Sequence, residues 1–367
     1  MSETFKIQNR VPLRRYLLTT VSAAAFSISF AAAAQNARAE DADHPVLWIE
    51  VGGAFDQVSD STTRWLPPNM TPGISNPPPG PFGKLPSLGY DADLKLSFTP
   101  DDSDWIFSAG IRYGRLLRGP KNSHDQTDKL LTFGTDGVVT QYVLAQGNFS
   151  NASQRSKASH AILDFQAGKD VGVGLFGQSV LSGGIRIVKL NESAQGNLTA
   201  LVSAPYVEYN PGEVGHKASF ATKHSFDGLG PSISWDASTP IVGTLSGGFS
   251  FDWGANAAIL FGRQKAKISL HTKDTRYISA ANYDNHYVSN SVVLSHLTKS
   301  PMRAKEVVVP NVGGFAGLSW HLPNAKISLG YRADFFFGAM DGGIDTAKKE
   351  NVGFYGPFAS VSVGIGG

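Results

Sequence analysis

The segment 245–262, LSGGFSFDWGANAAILFG, alternates finely between apolar residues and small or polar ones. Its even positions from 246 to 256 hold serine, glycine, aspartate or asparagine, whereas its odd positions hold Leu245, Phe249, Phe251, Trp253, Ala255, Ala257, Ile259 and Phe261. Side chains of a β-strand alternate between its two faces, so this segment predicts a strand whose faces meet different surroundings. The apolar face must meet either a protein core or lipid.

The same alternation recurs along the chain, for example in LGYDADLKLSF at 88–98 and DWIFSAGIRYG at 104–114. It predicts about ten strands, near 46–57, 88–98, 104–116, 157–169, 178–190, 226–236, 241–272, 307–321, 326–338 and 354–365. Short connections (99–103, 168–177, 237–240 and 322–325) alternate with long ones (58–87, 117–156, 191–225 and 273–306). Short turns at one end and long loops at the other are typical of an outer-membrane barrel with its short turns in the periplasm.

A soluble β-sandwich would also alternate, but two features argue against it. Aromatic residues of the apolar face fall near strand ends, as in the girdles of membrane barrels, although Trp48 has the opposite parity. Charged residues fall in the middle of strands on the other face, which would be the lumen of a barrel. We therefore predict an all-β, antiparallel, up-and-down transmembrane β-barrel.

The first 39 residues predict a secretory signal peptide. Lys6, Arg10, Arg14 and Arg15 precede an uncharged run at 17–34, and ARA at 37–39 supplies a small-x-small cleavage pattern. We expect cleavage between Ala39 and Glu40, which leaves residues 40–367 as one barrel domain. Removing this segment takes away five basic residues and one acidic residue, so the formal charge falls from +2 to −2. The charge therefore predicts no nucleic-acid partner.

Several motifs together resemble the Legionella-type major outer membrane protein family. They are GYDADLKLSF…DDSDWIFSAGIRYGR, FDGLGPSISWD, FSFDWGANAAILFGRQK, GLSWHLPNAKISLGYRADFFF and GFYGPFASVSVG. The resemblance implies a barrel of the bacterial outer membrane, with surface-exposed loops and pore formation as one expectation. Its implied partners are outer-membrane lipid and the outer-membrane assembly machinery. The chain ends GIGG, where many outer-membrane barrels end on an aromatic residue, so Phe358 is a candidate substitute for that assembly signal.

Thirteen ionisable residues share the non-apolar face of the predicted strands. They are Glu50, Asp91, Asp93, Lys95, Arg112, His160, Asp164, Arg186, Asp236, Asp252, Lys326, Arg332 and Asp334. Charges inside a barrel must be paired or hydrated, because burying a lone charge is costly. They predict either a salt-bridged plug or a narrow charge-lined pore, and Arg112 is expected to pair with Asp93 on the adjacent strand.

We expect no catalytic, cofactor or metal site. GVGLFG at 172–177 matches a phosphate-binding pattern, but a predicted strand follows it where such a motif requires a helix. His160 and Asp164 share a strand face, whereas Ser159 points to the other one, so a hydrolase would need a nucleophile from another strand. The absence of cysteine excludes disulfides and thiolate sites, and the nine histidines are dispersed.

Three functions stay open at this point. The first is a structural or narrow, porin-like outer-membrane protein. The second is an adhesin-like surface protein built on a plugged barrel, and the third, least expected, is a barrel hydrolase. Both of the first two need solvated loops, so the loop sequences do not separate them. The oligomeric state is also left open.

Overall fold

The computed structural model describes residues 47–60, 88–100, 103–123, 129–135, 138–144, 151–172, 178–203, 212–244, 247–281, 287–343 and 347–366. The predicted signal segment with its Ala39–Glu40 cleavage site lies outside these ranges, as does the proline-rich segment 61–87. The described residues form thirteen β-strands: β1 (Leu47–Asp60), β2 (Leu88–Phe98), β3 (Trp105–Ser123), β4 (Lys129–Thr135), β5 (Val138–Leu144), β6 (Asn151–Asp170), β7 (Gln178–Ser203), β8 (Gly212–Thr244), β9 (Gly247–Ala281), β10 (Tyr287–Lys299), β11 (Met302–Leu322), β12 (Ala325–Asp341) and β13 (Lys349–Ile365). In this described part, no helix is long and apolar enough to cross a membrane.

Ten antiparallel strands close into a ring in the order β1, β2, β3, β6, β7, β8, β9, β11, β12 and β13. Pairing of β1 with β13, from Leu47 opposite Ile365 to Asp60 opposite Val352, completes the circle. The eleventh strand, β10, pairs with the far end of β9, beyond the part of β9 that pairs with β11. A separate hairpin, β4–β5, lies between β3 and β6 in the chain. This closed antiparallel barrel confirms the predicted fold class.

The two faces of β9 are those that the alternation predicts. Phe249, Ile259 and Phe261 are 53%, 51% and 57% exposed, whereas Ser250 and Asp252 on the other parity are buried. The apolar faces of the neighbouring strands point outward in the same way, and aromatic rings cluster near their short-turn ends. Trp235 packs edge-on against Trp253, and Phe249 stacks with Trp320. The barrel therefore carries an outward apolar belt with aromatic residues at its margin, as membrane barrels do.

One predicted turn is wrong. ASTP at 237–240 lies within β8, which continues to Thr244, and β9 begins at Gly247. Two paired glycines flank the real turn, Gly243 with φ +85° and Gly248 with φ +151°, a backbone region in which glycine is favoured. Pro240 is tolerated in the strand because the register between β8 and β9 shifts there. The turn at 323–324 agrees with the prediction.

The predicted long loops at 191–225 and 273–306 are largely strand. Strand β7 runs to Ser203 and β8 starts at Gly212, while β9 runs to Ala281 and is paired with β10. The interpretation as loops failed because the outward face of these segments is charged and polar rather than apolar. Where a strand continues beyond the membrane, its outward residues are polar because they contact water and not lipid.

Candidate functional site

A polar cavity of about 340 Å³ occupies the short-turn half of the lumen. Eleven of the thirteen predicted inward residues line it: Glu50, Asp93, Lys95, Arg112, Asp164, Arg186, Asp236, Asp252, Lys326, Arg332 and Asp334. Strand alternation brings them together, because inward positions of adjacent strands lie side by side around the barrel wall. Asp91 and His160 are also inside the barrel but are fully buried rather than in the cavity wall.

Ion pairs cross the lumen above this cavity. Arg112 on β3 lies 2.6 Å from Asp334 on β12, four strands away around the ring. Arg332 on β12 reaches to β2, where it donates to Asp93 at 3.0 Å and also contacts Asp91. Both contacts join strands that are not neighbours, so they run across the lumen and not along its wall. We call the layer formed by Arg112, Arg186, Arg332 and their partners the ion-pair layer.

Arg186 is the third guanidinium of the ion-pair layer. It binds both carboxylate oxygens of Asp164, at 2.7 and 3.0 Å. It also donates to the side-chain oxygens of Asn256 at 2.6 Å and Asn311 at 2.5 Å. A fork of this kind holds a carboxylate in a fixed direction, so Arg186 ties β6, β7, β9 and β11 together inside the barrel.

The expected pair between Arg112 and Asp93 is not formed. The two residues are register partners on β3 and β2, but Arg112 binds Asp334 and Asp93 binds Arg332. Side chains that face a lumen extend toward its axis, where groups on the far wall are within reach of a long arginine. The register between β2 and β3 therefore places both residues on the inward face, but it does not determine which residues they pair with.

Nearer to the short-turn end, the charges are partly hydrated. The Lys95 ammonium lies 3.6 Å from Asp236, and these side chains are 44% and 35% exposed. Asp252 is more enclosed: it accepts hydrogen bonds from Lys326 at 3.0 Å and from the hydroxyl groups of Ser238, Ser250 and Ser319. This part of the lumen is therefore a water-accessible vestibule and not a packed core.

A second polar cluster, of Asp56, Asp91 and His160, is fully buried. The His160 Nε2 atom lies 3.7 Å from Asp56 Oδ2 and 3.8 Å from Asp91 Oδ2, and its ring packs on Phe354 with centroids 4.1 Å apart. The potential ligand atoms of the three residues all lie within 4.8 Å of one another, so they could hold a metal ion or a shared proton. Sequence reasoning missed Asp56, although it has the same inward parity as Glu50.

Apolar side chains form a packed layer across the lumen on the long-loop side of the ion-pair layer. Phe226, Phe336, Leu190, Leu260 and Val309 are each completely buried there, and Phe336 meets Phe354 edge-on. We call this packed group the apolar layer. It was not anticipated, although the even positions of β9 do change from polar to apolar at Ala258 and Leu260. Together the apolar layer and the ion-pair layer occupy the middle of the lumen.

The arrangement expected of a hydrolase is not present among the described residues. His160 meets Asp56 and Asp91 rather than Asp164, which is bound to Arg186. A serine–histidine contact does occur elsewhere, since Ser250 Oγ lies 2.8 Å from His321 Nε2. However, the nearby Asp252 binds the serine itself. In a catalytic triad the acid orients the histidine, whereas here Asp252 accepts a hydrogen bond from the serine.

Comparison with known proteins gives one strong match. A family model described as Legionella pneumophila major outer membrane protein precursor matches residues 99–365. No curated protein matches the chain. Among solved structures, the chain is similar to a TodX deltaS2S3 mutant monoaromatic hydrocarbon channel, with 10% identity over 88% of this chain and 91% of that chain. The TM-score of 0.21 is too low for that likeness to indicate a shared function.

Proposed function

The chain belongs to the Legionella major outer membrane protein family and lies in the bacterial outer membrane, and from this premise we propose that it forms a narrow, gated, water-filled pore. The observation that carries the proposal is the vestibule of about 340 Å³, whose walls hold both signs of charge. The partial exposure of Lys95 and Asp236 indicates water around them. Partly hydrated interior charges favour a water-filled pore over a packed, salt-bridged plug.

The conformation described here is the closed state of this pore. Ten strands leave a lumen only slightly wider than that of an eight-stranded barrel, which side chains alone can fill. The apolar layer lies across the lumen on the long-loop side of the vestibule, and a hydrophobic constriction can gate ion flow by dewetting. Opening would require Phe336 and its neighbours to move apart, while the vestibule below them is already polar.

Single-channel recording in a planar bilayer tests this function. We expect wild-type protein to stay mostly closed, whereas Phe336→Ala, which leaves a gap in the apolar layer, should conduct. Because that change also costs packing energy, Leu260→Asn provides a second variant, which keeps the branched shape of the side chain but makes the layer polar. Leu329→Ala is the matched control, since Leu329 lies on β12 like Phe336 but is 60% exposed on the outer belt.

Conductance from both inward variants, with wild-type behaviour of Leu329→Ala, would support the pore. If the two inward variants fold and neither conducts, the barrel is a closed scaffold. The second candidate, a surface-binding protein on a plugged barrel, would then be favoured. Its specific support is the length of β8 and β9, which have 33 and 35 residues. A transmembrane strand needs about 9–11 residues, so much of this wall stands outside the membrane.

We further propose that residues 1–39 direct export and are removed before Glu40, and that the protein has no enzymatic activity. The uncharged run at 17–34 and the ARA pattern support cleavage. N-terminal sequencing of protein extracted from outer membranes should begin at Glu40. Recovery of an intact N-terminal segment from that fraction would contradict this.

A further inference from the structure

The outward face of β8 and β9 changes character abruptly beyond the apolar belt. On β9, Phe261 is 57% exposed, and the next outward residue is Arg263. On β8, the corresponding belt residue is Leu229, which is 58% exposed. Six basic residues occupy the outward face beyond these positions, and all of them are exposed. They are Lys217, Lys223, Arg263, Lys265, Lys267 and Lys273, and we call them the basic wall.

The charges of the basic wall oppose one another directly. Lys223 is the register partner of Lys267, and Lys217 is the register partner of Lys273. Like charges directly opposite each other on adjacent strands are destabilising. Two acidic residues adjoin the wall at its membrane-proximal end, since Asp227 on β8 and Glu306 on β11 are both register partners of Arg263, and Lys189 also approaches Asp227 at 3.8 Å. The wall therefore holds more positive charge than the described protein neutralises.

The lysines cannot relieve this repulsion by turning inward. Residues of the opposite parity on the same two strands are buried, among them Phe220 on β8 with Ile268 and Leu270 on β9. A one-residue slip would expose these apolar side chains and bury the charges. Burial of the inner face thus fixes the basic wall on the outside, where an external anion could compensate it.

The height of the wall above the belt indicates the source of that anion. Strands rise about 3.3 Å per residue, so Arg263 lies about 7 Å along β9 from Phe261, Lys265 about 13 Å and Lys267 about 20 Å. A strand tilt of about 40° reduces these distances to heights of about 5, 10 and 15 Å above the belt. The headgroup layer of a bilayer extends about 5–7 Å beyond its hydrocarbon core, so Arg263 lies within that layer and the two lysines lie just outside it, where a glycolipid carries its saccharides. The wall is at the end that bears the long connections, which faces the cell exterior in barrels of this kind.

We propose that the membrane-proximal part of the basic wall, from Arg263 to the facing pair Lys223 and Lys267, binds the phosphate groups of phosphorylated glycolipid in the outer leaflet that surrounds the barrel. Ammonium and guanidinium groups form short charge-assisted hydrogen bonds with phosphate, and several phosphates on one lipid can bridge β8 and β9. Such a lipid would turn the repulsion between facing lysines into attraction through a shared anion. The proposal depends on the position of the belt and not on whether the lumen conducts.

Reconstitution into vesicles of different lipids tests this binding. The midpoint of urea unfolding is measured in phosphatidylcholine alone, with added lipopolysaccharide, and with lipopolysaccharide from which the phosphates have been removed. We expect lipopolysaccharide to raise the wild-type midpoint, and high salt or loss of the phosphates to abolish most of this rise. Inorganic phosphate added to phosphatidylcholine vesicles should not reproduce it, because a free ion is not held at the wall by the membrane.

For a double variant, Lys223→Gln with Lys267→Gln, we expect the difference in urea midpoint from the wild type to have opposite signs in the two lipids. In phosphatidylcholine it should unfold at a higher urea concentration than the wild type, because the facing charges are gone. In lipopolysaccharide vesicles it should unfold at a lower concentration and lose at least half of the lipid-induced shift. Lys169→Gln is the matched control, since Lys169 is an exposed lysine beside Asp104 at the short-turn end and should follow the wild type in both lipids. The same order of stability in both lipids would overturn the proposal.

Discussion

The guanidinium of Arg112 lies 2.6 Å from the carboxylate of Asp334, on strands that stand four places apart around the barrel. This contact spans the lumen, and the Asp334 side chain is almost completely buried. An ion pair between two walls fixes the distance between them, and it also neutralises the two buried charges. The pair therefore contributes to the stability of the fold and, in the proposed pore, to its closed state.

Arg112→Ala should destabilise the barrel by about 3–5 kcal/mol, because it leaves the buried Asp334 carboxylate without its main partner. The addition of Asp334→Asn should recover much of that loss, whereas Asp93→Asn should not, since Asp93 is held by Arg332. Equilibrium unfolding by urea in lipid vesicles measures each free energy. Lys95→Ala is the comparison, and because its ion pair is hydrated it should cost only about 0–1 kcal/mol. Rescue by Asp93→Asn instead would show that the cross-lumen pairing is wrong.

Arginine substitutions along the outer face of β9 should report membrane depth. Ala255 lies at the middle of the apolar belt that runs from Phe249 to Phe261, so Ala255→Arg should cost about 2–4 kcal/mol. Phe251→Arg is nearer to the short-turn margin, and the arginine itself should cost less there. The free energy of folding into bilayers is measured for each variant. Because Phe251→Arg also removes a phenylalanine, the cost of Phe251→Ala is subtracted from its cost before the two arginine variants are compared. Equal costs at both depths would contradict the position of the belt.

Two inward glycines of β3 should differ sharply in their tolerance of alanine. An added methyl group at Gly114 would collide with the ring of His160, which is buried and cannot withdraw. Gly114→Ala should therefore destabilise the barrel by about 1–3 kcal/mol. At Gly110 the nearest atom would be the Leu94 carbonyl oxygen at 3.8 Å, so Gly110→Ala should be neutral or slightly stabilising. Thermal unfolding of both variants checks this, and equal behaviour would argue against the packing around His160.

Asp341, beyond the belt at the end of β12, should make the adjoining connection sensitive to acid. Burial opposes ionisation of Asp341, but hydrogen bonds from Arg303 and from the amides of Lys348 and Gly343 outweigh it and hold the pKa below its usual range. A carboxyl group with a lowered pKa stabilises the fold above its unfolded pKa, and this contribution is lost as the pH falls through the folded value.

Hydrogen exchange at the Gly343 and Lys348 amides measures this effect, after correction for the intrinsic rate at each pH. Protection should be constant near neutrality and should decline only when the pH drops below the ordinary range for aspartate. In Asp341→Asn, protection should already be weaker at neutral pH and should lose its pH dependence. If the wild-type amides exchange equally at all pH values, the carboxylate does not hold this connection.

The alternation of residues was enough to predict the barrel, its lipid face and its inward charges. At 249–261 successive side chains alternate between the two faces of the strand, and only the apolar face is compatible with contact with lipid. The long strands were missed where water replaces lipid outside β8 and β9, because the outward face there no longer looks apolar. The turn after β8 was misplaced because Pro240 is compatible with a strand whose register shifts.

Partner choice inside the lumen was decided by the tertiary structure. Local periodicity places Asp93, Arg112, Arg332 and Asp334 on inward faces, but it carries no information about the distance across a closed ring. That distance depends on the number of strands and on their stagger, which exist only once β1 has paired with β13. The sequence by itself therefore determined which side chains face lipid and which face the lumen. Closure of the barrel decided that Arg112 would meet Asp334, and that apolar side chains from facing walls would pack into one layer across the lumen.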